Sequence, residues 1–146
     1  MGTLDSTPVV TAAARCQWQM DYTMIYGSVR LARLHTRRQL SLWGWAGDQY
    51  DATVIVSELV TNAISHGRTV GHLLRVQLAI LEDDTLRIDV SDPVASFPHI
   101  SESPQADAGV EDERGRGLHL IRALGGDLSW FLREEGGKTV RAHLAP

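Results

Sequence analysis

The segment Ser57-Glu58-Leu59-Val60-Thr61-Asn62-Ala63-Ile64-Ser65-His66-Gly67 sets a carboxylate, a carboxamide and an imidazole at positions 58, 62 and 66. Steps of four residues bring side chains to one side of an α-helix, so Glu58, Asn62 and His66 form a polar line. Val56, Leu59 and Ala63 fall on the neighbouring stripe, which puts that line at the border of a buried face. A carboxylate there can act as a general base or orient water. A carboxamide oxygen can hold Mg²⁺, a hard cation that takes oxygen ligands and keeps several waters. An ordinary solvated helix edge would carry the same residues. Asp92 follows a second apolar run, Leu86 to Val90. Its carboxylate can accept a hydrogen bond from a donor such as an exocyclic amine, or it can bond its own downstream backbone in a turn. Gly115-Arg116-Gly117 precedes Leu118, Leu120, Ile121 and Leu124. Glycines before a helix let a phosphate approach unpaired N–H groups, and a plain hinge has the same composition.

These groups need elements to position them. Cys16, Trp18 and Met20 alternate with polar neighbours, the period of a strand at an edge or at the start of a sheet. From Met24 to Trp43 the period becomes helical, with Ile25, Val29, Ala32, Leu40 and Trp43 on one stripe and Arg30, Arg33 and Arg37 on another. Asp48 can cap a second helix over about Gln49 to His66, and Gly67 would end it in the left-handed conformation. Leu74, Val76, Leu78 and Ile80, then Glu82-Asp83-Asp84, then Leu86, Ile88 and Val90 read as a β-hairpin. Residues 93–114 hold three of the five prolines and little periodicity, the pattern of a functional loop or lid. A short helix ending at Gly125-Gly126 follows. A last hairpin then runs through Leu128, Trp130 and Leu132, turns at Gly136-Gly137 and returns through Val140, Ala142 and Leu144. The expected fold is α+β, a two-layer sandwich with helices on one face of a mixed, mostly antiparallel sheet. Residues 1–14 read as a flexible leader and 15–146 as one domain.

Composition narrows the function classes. With 146 residues and a net charge of −4, the chain is sized for one core and poorly suited to neutralising a nucleic-acid backbone. Its one cysteine, Cys16, allows no internal disulfide and points to a reducing, cytoplasmic setting. No run approaches the ~18 apolar residues of a membrane span. The six histidines show no paired spacing of a zinc site. Basic charge is carried by thirteen arginines and one lysine, Lys138, and the stripe Arg30, Arg33, Arg37 with Arg38 is either a solvated face or a site for an acidic partner.

Taken together, Glu58-Leu59-Val60-Thr61-Asn62-Ala63 with His66-Gly67, Asp92 after its strand, and Gly115-Arg116-Gly117-Leu118 resemble the Bergerat-fold ATP-binding module of gyrases, heat-shock chaperones and histidine kinases. Most of all they resemble the small bacterial anti-sigma-factor serine/threonine kinases. The resemblance covers about residues 15–144. It implies ATP and Mg²⁺ as cofactors, with Glu58 as catalytic base and Asn62 holding the metal. It also implies His66 in the first box, Asp92 on the adenine amine, and Gly115, Arg116, Gly117 and Leu118 closing the lid on phosphate. Gly137-Lys138-Thr139-Val140 is similar to the family strand that closes the adenine pocket, with Thr139 as its hydrogen-bonding residue. One departure stands out. The family continues its Asp with glycines, as Asp-x-Gly-x-Gly, whereas here Asp92-Pro93-Val94-Ala95-Ser96 has none. The implied partner is a sigma factor or an anti-anti-sigma-like protein, with a paired subunit as in the family and neither nucleic acid nor membrane contacted directly. The alternative is a non-catalytic partner-binding module of the same fold.

Overall fold

The computed structural model describes residues 13–96 and 119–146. The elements are β1 (Ala14–Thr23), α1 (Gly27–Trp43), α2 (Gln49–Gly67), β2 (Leu73–Leu81), β3 (Leu86–Asp92), β4 (Asp127–Leu132) and β5 (Lys138–Leu144). Residues 119–123 are helical. The strands form a five-stranded sheet in the order β1-β2-β3-β5-β4. Where the sequence left room for a parallel pair, every pairing among the described residues is antiparallel. Helices α1 and α2 pack on each other, with α1 against β1 and α2 against β2, β3 and β5, giving the two-layer sandwich. Most of the proposed leader and lid, and all of Gly115–Leu118, lie outside the described residues.

Strand alternation decides which side chains meet the helices. Cys16, Trp18 and Tyr22 of β1, Leu74, Val76, Leu78 and Ile80 of β2, Leu86, Ile88 and Val90 of β3, and Val140, Ala142 and Leu144 of β5 pack into or against the core. Because successive strand residues point to opposite faces, Asp92 and Lys138 belong to this helix side, whereas Asp89, Ser91, Thr139 and Arg141 belong to the outer side. The hydrophobic core is completed by Ala52, Ile55, Val56, Leu59, Val60, Ala63 and Ile64 of α2 and by Ala32 and Leu40 of α1. Tyr22 ties β1 to α1 through a 2.7 Å hydrogen bond between its hydroxyl and His35 Nδ1, and burial pushes the phenol up to about 12.

Two helix boundaries depart from the sequence reading. Helix α1 begins at Gly27, not Met24, because Met24 is buried in the core and the chain turns there. Thr23 O accepts from Ile25 N at 2.9 Å and from Ser28 Oγ at 2.7 Å. Gly67 does not terminate α2 in the left-handed region. It is the last helical residue, and Arg68 follows in an extended conformation with φ −61° and ψ 126°. Space, and not backbone freedom, requires glycine here. A Cβ at position 67 would lie 2.4 Å from Asp92 Cγ.

Candidate functional site

Helix α2 starts as expected, with Asp48 Oδ1 accepting from Asp51 N at 3.0 Å, and its far end brings the polar line to the sheet. Glu58 and His66 are half-buried along it. Asn62 is only 7% exposed, and its Nδ2 has no hydrogen-bond partner among the described residues. A buried amide left unpaired costs about 1–3 kcal/mol, so this position is one that a ligand group would complete.

One turn beyond Asn62, the missing side chain of Gly67 makes room for the Asp92 carboxyl at the end of β3. The strand-end acid therefore seats on the last turn of the helix that carries the polar line, against the neighbouring stripe of Ala63 and Gly67. The backbone of Asp92 is approached as closely from the other side, because a Cβ on Gly137 would stand 2.1 Å from Asp92 O. Gly137 has φ +84°, a conformation that also favours glycine.

Asp92 is 2% exposed and already engaged. Its Oδ1 accepts from Val94 N at 2.9 Å, the turn in which an Asp bonds its own downstream backbone. Lys138 Nζ lies 3.0 Å from Oδ1 and 3.0 Å from Oδ2, and donates to Val94 O at 3.1 Å. Lys138 is itself 1% exposed. The family resemblance implied Thr139 as the hydrogen-bonding residue of this strand, and the register places it and its neighbour Lys138 on opposite faces. Thr139 faces the outer side of the sheet, where its hydroxyl pairs with Ser91 Oγ at 2.7 Å, and Lys138 faces the site. The available signal was compositional: a single lysine in a chain that otherwise uses arginine.

Among the described residues no group of three or more His, Cys, Asp or Glu could hold a metal ion. The carboxamide of Asn62 offers an oxygen of the kind that Mg²⁺ takes. On α1, Arg30, Arg33 and Arg37 line an open groove with Gly27, Leu31 and Leu34, away from this site.

Residues 26–144 match the histidine kinase-like ATPase domain. The chain belongs to that family. Similar solved structures include the RsbU and RsbW domains of a Mycobacterium tuberculosis protein, with 18% identity and a TM-score of 0.58 over 89% of this chain and 32% of that one. The SiaB–SiaC complex of Pseudomonas aeruginosa matches with 17% identity and a TM-score of 0.57 over 87% and 88% of the two chains. The histidine kinase domain of a blue-light-activated kinase from Erythrobacter litoralis shows 21% identity and a TM-score of 0.49 over 66% of this chain and 43% of that one. This chain thus spans less than half the length of two of these three structures. No curated protein matches it. The likeness to the first two of these structures is one of fold. No helix among the described residues is long and apolar enough to cross a membrane.

Proposed function

We propose that this domain binds Mg-ATP between α2 and the Asp92 end of the sheet, and phosphorylates or sequesters a protein partner in transcriptional control. The observation that carries the reading is the close seating of Asp92 on Gly67, which joins the strand-end acid to the helix bearing Glu58, Asn62 and His66. The buried Asn62 Nδ2, a donor with no partner among the described residues, supports a ligand oxygen beside it, and the metal-holding role of the carboxamide oxygen rests on the family resemblance. Bound Mg²⁺ would neutralise the triphosphate charge. Asp92 would read the base, His66 would flank the site, and the Gly115-Arg116-Gly117-Leu118 backbone would meet phosphate. Glu58 would accept the proton of a serine or threonine hydroxyl on the partner as that oxygen bonds the transferred phosphoryl group and ADP leaves. The partner would be a sigma factor or an anti-anti-sigma-like protein, and the SiaB structure, solved with SiaC, offers a precedent for a protein partner on this fold.

Trp18, Trp43, Trp45 and Trp130 give the fluorescence signal for an Mg-ATP titration. Binding in the micromolar to millimolar range is expected, abolished in Asn62→Ala. Glu58→Ala should keep binding and lower phosphoryl transfer by about 10²–10⁴-fold. No binding at millimolar ATP, or equal transfer by Glu58→Ala, overturns the respective assignment. A second reading, a partner-binding module without catalysis, is favoured by the Lys138 pairing of Asp92. ATP-dependent recovery of a partner with no phosphate transferred to it would select that reading.

A further inference from the structure

We propose that Lys138 is an internal competitor for the nucleobase. Its ammonium takes the Asp92 acceptor that a base's exocyclic amine would use, so that nucleotide engages Asp92 only when Lys138 withdraws. The inference rests on the nucleotide-site reading above and adds a residue that regulates that site. An ammonium has three donors, and Lys138 places them against Oδ1 and Oδ2 of Asp92 and the carbonyl oxygen of Val94. Asp92 Oδ1 also takes Val94 N. The corner formed by residues 92–94 and Lys138 is thus hydrogen-bonded without a ligand, in contrast to Asn62 Nδ2, which has no partner among the described residues. Both side chains of the pair are 2% exposed, so a base edge reaches Asp92 only if this packing opens.

The choice of cation fits a part that moves. Lysine carries a compact charge on a flexible four-carbon stem, whereas a guanidinium would clamp the carboxylate in a planar two-point fork. The sole lysine of the chain stands at this position. Because the same ammonium holds Val94 O, its withdrawal also frees the start of the segment that leads from β3 toward the proposed lid. Lys138 therefore links base entry to the conformation of residues 93–96.

The test is equilibrium binding of ATP and of purine riboside triphosphate, which lacks the 6-amino group, to the wild-type chain, Lys138→Met and Lys138→Gln. Tryptophan fluorescence reads the binding and thermal unfolding checks the fold. Competition predicts that Lys138→Met binds ATP at least ~10-fold tighter than wild type, because the unpaired Asp92 gains the amine without first losing a partner. The gain should vanish for the analogue without the amine, and Lys138→Gln should fall between the two proteins. Unliganded Lys138→Met should melt lower than wild type and gain more from saturating ATP. Lys138→Gln keeps a hydrogen-bonding head and carries the measurement if the methionine variant does not fold. Equal or weaker ATP binding by a folded variant overturns the competitor role. If wild-type binding is still abolished by Asn62→Ala in that case, the nucleotide site stands and only the role of Lys138 falls. If neither wild type nor variant binds ATP, the site reading itself falls, and competition with it.

Discussion

Strands β3 and β5 carry two acid–base pairs built from directly opposed residues, Asp92 with Lys138 and Asp89 with Arg141, three positions apart and therefore on opposite faces of the sheet. Outside, Arg141 grips Asp89 with a two-point fork, Nε to Oδ1 at 2.8 Å and Nη2 to Oδ2 at 2.8 Å. Its guanidinium lies 4.9 Å from the centre of the Phe131 ring, and Arg87 adds a longer contact of 3.8 Å to the same carboxylate. The bond to Asp89 raises Arg141 above its ordinary value, whereas burial lowers Arg87. Inside, a flexible ammonium serves the carboxylate that a ligand would read. The outer pair is a fixed brace, and the inner pair is one whose cation can be exchanged for another donor. The same strands thus supply rigidity on one face and a replaceable contact on the other.

The sharpest way to separate the two pairs is Gly67→Ala. The new Cβ would meet Asp92 Cγ at 2.4 Å, with a rigid helix behind it, so the carboxyl must move and Lys138 is left buried beside a displaced partner. Uncompensated burial of one member of such a pair costs about 3–5 kcal/mol. Chemical denaturation should show a loss of that order, and Mg-ATP binding should fall below detection. A stability within 1 kcal/mol of wild type, by the same order-of-magnitude scale, would mean that Asp92 is not held against α2 in solution.

The helices, the hairpins and most of the core faces were legible in the sequence because they follow from periodicity, and Asp48, Val56, Leu59 and Ala63 take the places that spacing assigned, whereas Ile25, assigned to the apolar stripe of the first helix, lies before α1 and is exposed. The line Glu58, Asn62, His66 was legible for the same reason. Gly67 was recognised as special but for the wrong cause. A local rule ties glycine to helix ends, whereas the reason here is a carboxyl from a strand 25 residues further along the chain. Lys138 was passed over because the family resemblance pointed to Thr139, although the alternation of Val140, Ala142 and Leu144 already puts position 138 on the core face. A one-residue error in register exchanges the two faces of a strand. The Asp89–Arg141 brace was illegible because it joins residues 52 positions apart.

Arg141→Met tests the other half of the comparison. Removing the fork leaves Asp89, buried and charged, with only the longer Arg87 contact. Arg141 keeps 22% of its side chain in contact with solvent, which softens the penalty to about 1–3 kcal/mol. ATP affinity should stay within ~2-fold of wild type, since the pair faces away from α2 and its loss leaves Asp92 and Lys138 in place. A tenfold or larger change in affinity would show that the two faces are coupled through the shared strands, and the division into a brace and an exchangeable contact would fail.

The smallest effect concerns pH on the outer face. His143 sits on β5 two residues from Arg141, opposite Arg87, and its ordinary value is lowered first by burial and then by the Arg141 charge, with Arg87 acting the same way and Asp89 and Asp127 opposing. The folded protein therefore holds this ring neutral where the unfolded chain would protonate it. Between the lowered folded value and 6.5 the unfolded state binds more protons, so stability falls as pH drops from 7 through that window. Solvent screening of a half-buried ring keeps the loss small. His143→Asn should flatten the decline in melting temperature between about pH 7 and pH 5.5, while ATP affinity over the same range stays parallel in variant and wild type. An affinity profile that shifts with His143→Asn would place the titrating group in communication with the inner pair, the outcome that the opposite facing of positions 143 and 138 argues against.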